Sequence, residues 1–441
     1  MKPRLIPIYF EPGRDEAFDQ QLTALKQLIG DQVELLAPQP LGSPLVEAEA
    51  VVLPQLLGEA YRRLDDFKAI DLPILIVTSE FGTLSMWDWE LITYLDREGV
   101  KTIAPYNLDQ TRKVCAALKV RRDLRNSKFV VYQDNPGQGA QPGIFKRFYW
   151  WEDECTQRMF DRFGITIERR SFKALGQRAM DMSDAEAEAA WQESGNGHKT
   201  QGIDGKPLNS SMKMYLAVRE QLDAEPEIQG VGINCLNESH FSDTTPCLAF
   251  SMLYEERQMI WGCEADTVSM LTKYVLNKSL DVPILMTNLY PFLMGQAALK
   301  HEGIEAFPEV KGNPADYILV AHCGYMGVIP KSFSTEWTLR KGALKIIDEN
   351  ATAIDARIPE GPITLAKLDP TFTRMTVAEA DLTGYAQYPG SDCLNGGVIR
   401  VNDGPKLMRS LPSHHALLTT GHNQLDIQLI APVFDLAVED I

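Results

Sequence analysis

The residues best able to do chemistry gather in four stretches. The first three are Gly232-Ile-Asn-Cys-Leu-Asn-Glu-Ser-His240, Thr245-Pro-Cys-Leu-Ala249 and Gly262-Cys-Glu-Ala-Asp266. Glu238 falls just past a strand expected over 231–235. Glu264 and Asp266 fall at the start of a helix expected over 265–278. An acid in a first helical turn also has a plain role, because it caps free N–H groups and complements the helix dipole. The fourth stretch holds His414, His415 and His422, in a chain whose other four histidines are scattered. His415 and His422 are an odd number of residues apart, so a continuous strand would point them to opposite faces. Two carboxylates and a neutral imidazole, completed by water, suit Mn²⁺ or Mg²⁺. Such an ion polarises a carbonyl and stabilises an enediolate. Spacing alone does not bring Glu238, Asp266 and His415 together.

Other chemistries find less support. Gly137, Gly139 and Gly143 miss the dinucleotide-binding spacing, and Pro142 stands where a helix should begin. No phosphate loop of the G-x-x-x-x-G-K-[ST] type occurs, and no G-x-S-x-G nucleophile turn. His322-Cys323 ends a strand expected over 317–321, where α/β sites gather, but a small buried cysteine is the simpler reading. The run Arg112, Lys113, Lys119, Arg121, Arg122, Arg125 and Lys128 faces only Asp123. It reads as a solvated helix face, or as a patch that meets an acidic neighbouring subunit.

The elements that must position these residues follow from pattern. The 441-residue chain has 43 basic and 60 acidic residues, a net charge of −17, and is 44% hydrophobic. It can bury a large core, and its length predicts two or three domains. The acidic balance argues against nucleic acid and anionic membranes as partners. No apolar run is long enough for a membrane span. The N-terminus reads as a first strand rather than a secretory signal. Seven dispersed cysteines without a CxxC suit a reducing cytoplasm. Short apolar runs at 5–10, 33–37, 50–53, 73–78 and 100–104 alternate with helical patterns at 17–28, 56–69 and 87–98, which predicts a parallel sheet. A second α/β unit begins at 128–134, with helices expected over 151–163, 183–193 and 210–222. After residue 338 the pattern turns to β, with strands expected over 343–347, 361–368, 372–380, 397–401 and 415–420. The expected architecture is α/β: two doubly wound Rossmann-like domains (1–125 and 126–240), then a C-terminal domain (241–441) with an α/β start and a β-rich, barrel-like end.

The order Cys-Leu-Asn-Glu238, Thr-Pro-Cys-Leu-Ala249, Gly-Cys-Glu-Ala-Asp266, Ala-His-Cys-Gly324 and His-His-Ala-Leu-Leu-Thr-Thr-Gly-His422 resembles the L-fucose isomerase-like family, which includes L-fucose and L-arabinose isomerases. The resemblance runs from about residue 125 onward and is nearer to short members without an assigned substrate. It implies a metal-dependent aldose–ketose isomerase working through a cis-enediol. It implies Glu238, Asp266 and His415 as ligands of Mn²⁺, with Mg²⁺ or Co²⁺ as alternatives, and Glu238 and Asp266 as the catalytic acids and bases. Glu264 and His422 would then support the site from behind. The resemblance also implies a homotrimer or homohexamer in which the N-terminal domain of one subunit covers a neighbour's active site. Phe81 or Trp87 would stack on the sugar there, although the aromatic-rich loop of the fucose enzymes has no match in this chain. The same metal site would also serve aldolase, epimerase or group-transfer chemistry. A non-catalytic sugar-binding protein is the remaining alternative.

Overall fold

The computed structural model describes residues 1–11, 14–134, 153–195, 197–235, 241–292, 297, 299–300, 303–322, 324–342, 348–388, 391 and 394–441. Glu238, His240, Cys323, the glycine-rich loop at 135–143 and the strand expected over 343–347 lie outside them. The chain divides into two compact units. One is Met1–Arg125 with Lys278–Asp281 and Leu425–Val438; the other is Asn126–Asn277 with Val282–Gln424 and Glu439–Ile441.

The first unit is built on an all-parallel sheet. Its strands are β1 (Arg4–Tyr9), β2 (Glu34–Leu35), β3 (Gln39–Pro40), β4 (Ala50–Leu53), β5 (Ile74–Ile76) and β6 (Thr102–Ile103). They run in the order β2-β1-β4-β5-β6, with β3 also paired to β1. Leu5, Ile6, Ile8, Val51, Val52 and Leu75 are fully buried. Unbroken apolar runs, rather than alternating ones, are the signature of such strands. The helix Glu16–Ile29 starts where Asp15 accepts a hydrogen bond from the Phe18 N–H. The helix Leu108–Leu124 starts where Asn107 accepts from Gln110. It carries most of the basic run, three of whose charges find internal partners: Lys113 meets Asp109 and Asp426, Lys119 meets Asp123, and Arg122 meets Glu49.

The second unit combines a parallel sheet with a barrel. Its first strands are β7 (Lys128–Tyr132), β8 (Thr166–Arg170), β9 (Lys199–Gln201), β10 (Ile228–Ile233) and β11 (Ile260–Cys263). Four of them form an all-parallel, Rossmann-like sheet in the order β11-β10-β7-β8. The remaining strands are β12 (Ile284–Pro291), β13 (Tyr317–Ala321), β14 (Glu336–Lys341), β15 (Thr352–Arg357), β16 (Gly361–Leu368), β17 (Arg374–Ala386), β18 (Gly396–Val401) and β19 (His415–Thr420). The ring β16-β19-β12-β13-β18-β17 closes on itself through the β16–β17 pairing, giving a six-stranded antiparallel barrel. Closure leaves these strands no open edge along the ring. A small sheet of β15, β14 and β9 completes the unit.

The expected mixture of parallel α/β sheets and a C-terminal barrel is therefore present. Some elements escaped the pattern. The helix Cys247–Arg257 is buried at every position from Cys247 to Tyr254, so it lacks the polar face that marks a helix in sequence. Strands β14 and β15 were not expected. Among the described residues no helix is long and apolar enough to cross a membrane.

An ionic cluster ties β7 and β8 to the segment that leads into β10. Lys128, at the start of β7, meets Glu168 on β8 together with Glu225 and Glu227, and Arg170 on β8 binds Glu168 and Glu225. Hydrogen bonds from Arg170 and Lys128 hold the Glu225 carboxyl down at about 2. A carboxyl depressed in the folded state contributes stability that is fully present above its unfolded value, near 4.3, and is lost as pH falls towards the folded value. Wild-type stability should therefore fall between about pH 4.5 and pH 2. The fall should be shallower in Glu225→Gln, as measured by urea unfolding across that range. Identical slopes for the two proteins would remove Glu225 from the account.

Candidate metal centre

The centre forms where the parallel sheet meets the barrel. Strand β11 ends at Cys263, and the chain turns through Glu264 (φ 54°) and Ala265 (φ 55°) before the helix Thr267–Leu280. Left-handed backbone at two successive non-glycine residues is costly and persists only where the surroundings enforce it. Here the Ala265 N–H donates to the Ile233 carbonyl at 3.1 Å, and the Asp266 N–H to the Cys263 carbonyl at 3.1 Å. Gly262 lets the helix approach, since a Cβ there would lie 2.6 Å from Met270 Sδ. From the barrel side, His322 follows the last residue of β13 and His415 opens β19. Both strands pair with β12, where Asn288 lies opposite Ala321 on one side and His415 on the other.

Glu264, His322 and His415 converge as a buried group with ligand atoms within 4.8 Å of one another. His322 Nε2 and His415 Nε2 are 3.4 Å apart, and Glu264 Oε1 lies 3.6 Å from the first and 3.7 Å from the second. A point equidistant from three atoms so spaced lies roughly 2 Å from each, which is the bond length of a divalent transition metal to nitrogen or oxygen. The residues present therefore fit such an ion. Two imidazoles and one carboxylate suit Mn²⁺ or Co²⁺ better than Mg²⁺, which prefers oxygen throughout.

Behind His415 stands Asp266. Its Oδ2 is 2.9 Å from His415 Nδ1, 3.0 Å from Lys367 Nζ and 2.6 Å from Ser269 Oγ, while Oδ1 accepts from the Ser269 N–H at 2.7 Å. A carboxylate can only accept, so His415 carries a proton on Nδ1, which leaves Nε2 as the atom that would face a cation. Metal-binding histidines are oriented in this way by a carboxylate behind them.

The electrostatics match that arrangement. Burial alone would raise the carboxyls of Asp266 and Glu264. For Asp266, Lys367 and His415 outweigh burial; for Glu264, His415 and His322 do so, and both acids are held below their ordinary values. Burial and the neighbouring His415 push His322 down to about 4, so its imidazole is neutral near pH 7. Burial would also lower His415, but Asp266 and Glu264 raise it.

The expected residues are distributed differently from the expected roles. Asp266, expected as a ligand, backs His415 instead of joining the converging trio. Glu264, expected behind Asp266, is in the trio. The two acids exchange places because the left-handed turn between them breaks the regular alternation of side-chain direction. His415, expected as a ligand, is in the trio. Glu238 lies outside the described residues. His422 lies beyond the far end of β19, half-exposed, 3.5 Å from Glu379. Phe81 and Trp87 are strongly exposed in the first unit, after β5. Sequence reasoning missed His322 as a ligand-grade group and Lys367 as the cation behind Asp266. The His322-Cys323 pair at a strand end was the one available signal for the former.

No family model matches the chain, and no curated protein matches it. Among solved structures, a LacI family transcription regulator from Clostridium acetobutylicum matches at 11% identity and a TM-score of 0.16, covering 63% of this chain and 93% of its own. An ABC transporter solute binding protein from Burkholderia multivorans, with an unknown ligand described as α-D-erythrofuranose, matches at 11% identity and a TM-score of 0.15, covering 64% and 96%. Another from Agrobacterium vitis, bound with α-D-tagatopyranose, matches at 12% identity and a TM-score of 0.17, covering 76% and 97%. Likeness at such TM-scores carries no weight for fold or function.

The Asp266–Lys367 pair is fully buried, so removing one partner strands the other charge. Lys367→Met should cost about 3–5 kcal/mol in urea unfolding. Adding Asp266→Asn to that variant should recover a large part of the loss. No recovery would mean that the stranded carboxylate is not the cause.

Proposed function

We propose that the protein is a metal-dependent aldose–ketose isomerase that acts on a sugar through a cis-enediol. The observation that carries this reading is the convergence of Glu264, His322 and His415 within 4.8 Å, backed by Asp266. The proposed cation is Mn²⁺, with Co²⁺ next by donor chemistry. When bound, the ion would supply Lewis acidity to neighbouring carbonyl and hydroxyl oxygens. Glu264 and His322 would hold it from two sides, and His415 from a third, with its ring fixed by Asp266. The burial of these groups excludes water and strengthens each electrostatic contact. Glu238, on the resemblance, is proposed as the carboxylate that moves the proton between C1 and C2, a task that requires it within about 3 Å of that proton.

Protein loaded with Mn²⁺ and offered a panel of aldoses in D₂O should place solvent deuterium at C2 of an unbroken carbon chain, read by NMR. His322→Ala and Glu264→Gln should abolish that exchange together with Mn²⁺ binding. Shorter carbon fragments would replace isomerisation with aldol chemistry on the same centre. Sugar binding without metal and without exchange would leave a binding protein and sink the enzyme reading.

We further propose a homotrimer or homohexamer working in the cytoplasm, with Phe81 and Trp87 turned towards a neighbouring subunit's site. In support, Phe81, Met86, Trp87 and Tyr106 expose large apolar surfaces on the first unit, a pattern that marks interaction sites. Cys115, Cys235, Cys247 and Cys263 are buried free thiols, as suits a reducing compartment. Light scattering should give a mass of three or six chains, and a monomer would end the subunit-sharing proposal.

A further inference from the structure

Three strands of the second unit's parallel sheet end level with one another. Ile233 on β10 pairs with Cys263 on β11 and with Tyr132 on β7. The next residue on each strand is Asn234, Glu264 and Gln133. These three residues therefore leave the strands at one level along the carboxyl edge of the sheet, and Glu264 belongs to the metal-capable trio. Neighbouring strands lie about 4.8 Å apart, so Gln133 and Asn234 are on adjacent strands, with Asn234 one strand from Glu264 and Gln133 two strands from it.

The topology marks the same place. The order β11-β10-β7-β8 means that the chain leaves β7 in one direction to form β8, then returns past β7 to lay down β10 and β11 on its other side. The strand order thus reverses between β7 and β10. Open α/β sheets bind ligands in the crevice outside the carboxyl ends of the strands at such a switch point. Gln133 and Asn234 are the first residues beyond those two strand ends.

Their side chains have no internal role. Both the nitrogen and the oxygen of the Gln133 amide, and both of the Asn234 amide, are buried without a hydrogen-bond partner. Asn234 is 0% exposed and Gln133 5%. Only their backbones are engaged, with Gln133 N–H donating to Arg170 and Asn234 N–H to Tyr132. Buried amides left unpaired are rare because they weaken the fold, and an exception calls for a ligand or an ordered water. Two neighbouring amides present donors and acceptors together, which is the complement of hydroxyl groups that each donate and accept. Both amides are uncharged. The nearby cation on β8, Arg170, is already bound to Glu168, Glu225 and Gln221, so it is not available to a phosphate.

We infer that Gln133 and Asn234 form the subsite that binds the uncharged, hydroxyl-bearing chain of the substrate, with Asn234 one strand and Gln133 two strands away from Glu264. The inference rests on the proposed metal centre only for which end of that chain is anchored. The two amides hold the distal hydroxyls and so set which configurations and chain lengths fit. They are specificity residues and take no part in moving protons. Their unpaired state in the free protein is stability given up for binding.

The test uses open-chain polyols, which cannot react, as probes. Xylitol, D-arabinitol, sorbitol and galactitol are titrated calorimetrically into the full-length protein, with and without Mn²⁺, and Mn²⁺ alone is titrated separately. The variants are Gln133→Leu and Asn234→Leu, which remove the polar atoms of the amides. At least one polyol should bind wild type, and each variant should weaken it by about tenfold or more, the loss expected when hydroxyl partners disappear. Affinity for Mn²⁺ should be unchanged, and the Tm of each variant should rise by a few degrees because an unpaired buried amide has been removed. A structural role for the amides would instead lower Tm or prevent folding, and either result overturns the inference. So does equal polyol binding by wild type and variants, or no polyol binding by wild type. Should Mn²⁺ fail to bind wild type while polyol binding and its loss in the variants persist, the subsite stands and the metal reading falls.

Discussion

The second unit depends on how one buried carboxylate is compensated. Asp266 is wholly enclosed, and an isolated charge there would cost far more than the fold can supply. Four contacts answer it: the Ser269 N–H and hydroxyl, the Lys367 ammonium and His415 Nδ1. They come from three separate elements. Ser269 belongs to the helix Thr267–Leu280, Lys367 to β16 and His415 to β19. The carboxylate therefore pins the helix that leaves the parallel sheet to two neighbouring strands of the barrel. A buried ion pair adds little net stability over well-packed apolar groups, so what it supplies is position. That position fixes the ring of His415 and hence the trio it shares with Glu264 and His322.

The same junction explains why local strain is tolerated. Glu264 and Ala265 adopt left-handed backbone between a buried strand and a buried helix. A strand continuing regularly past Cys263 would alternate its side chains between the two faces. The turn instead aims Glu264 at the barrel's histidines while Asp266 faces Lys367 and His415. Strain of this kind persists where packing on both sides over-determines the backbone. Ile233, Gly262 and Cys263 provide that constraint through the hydrogen bonds of the turn.

Much of the fold was legible in the sequence because it is written locally. Ala50–Leu53 and Ile74–Ile76 are short apolar runs between turn residues, which is how a strand buried on both faces appears. His415 and Asp266 were legible as partners of one site, and they are in contact. What was not legible is set by long-range pairing. Lys367 reaches Asp266 across 101 positions. His322 meets His415 because β13 and β19 flank the same strand, β12. Neither fact has a local signature. The placements of Glu264 and Asp266 differ from the expectation for a different reason. Two acids at i and i+2 share a face on a strand but diverge on a helix, and these two straddle a turn that is neither.

Charge balance joins the compensation of Asp266 to the proposed chemistry. Among the described residues of the centre, Lys367 cancels Asp266, His322 is neutral, and His415 can give its Nε2 lone pair to a cation once it carries only the Nδ1 proton. Glu264 then leaves the trio with a single negative charge. A divalent cation held there would give the trio and its ion one net positive charge, facing the Glu238 carboxylate proposed to move the proton. That is the complement of the single negative charge that develops on oxygen when a sugar enolises, and low-dielectric surroundings make the match strong. Had Asp266 been left free to face the centre without Lys367, the trio and its cation would be neutral overall, and the stabilisation of the developing charge would fall. On this reading Lys367 acts at a distance from the reacting atoms: it keeps Asp266 turned towards His415 and offsets its negative charge.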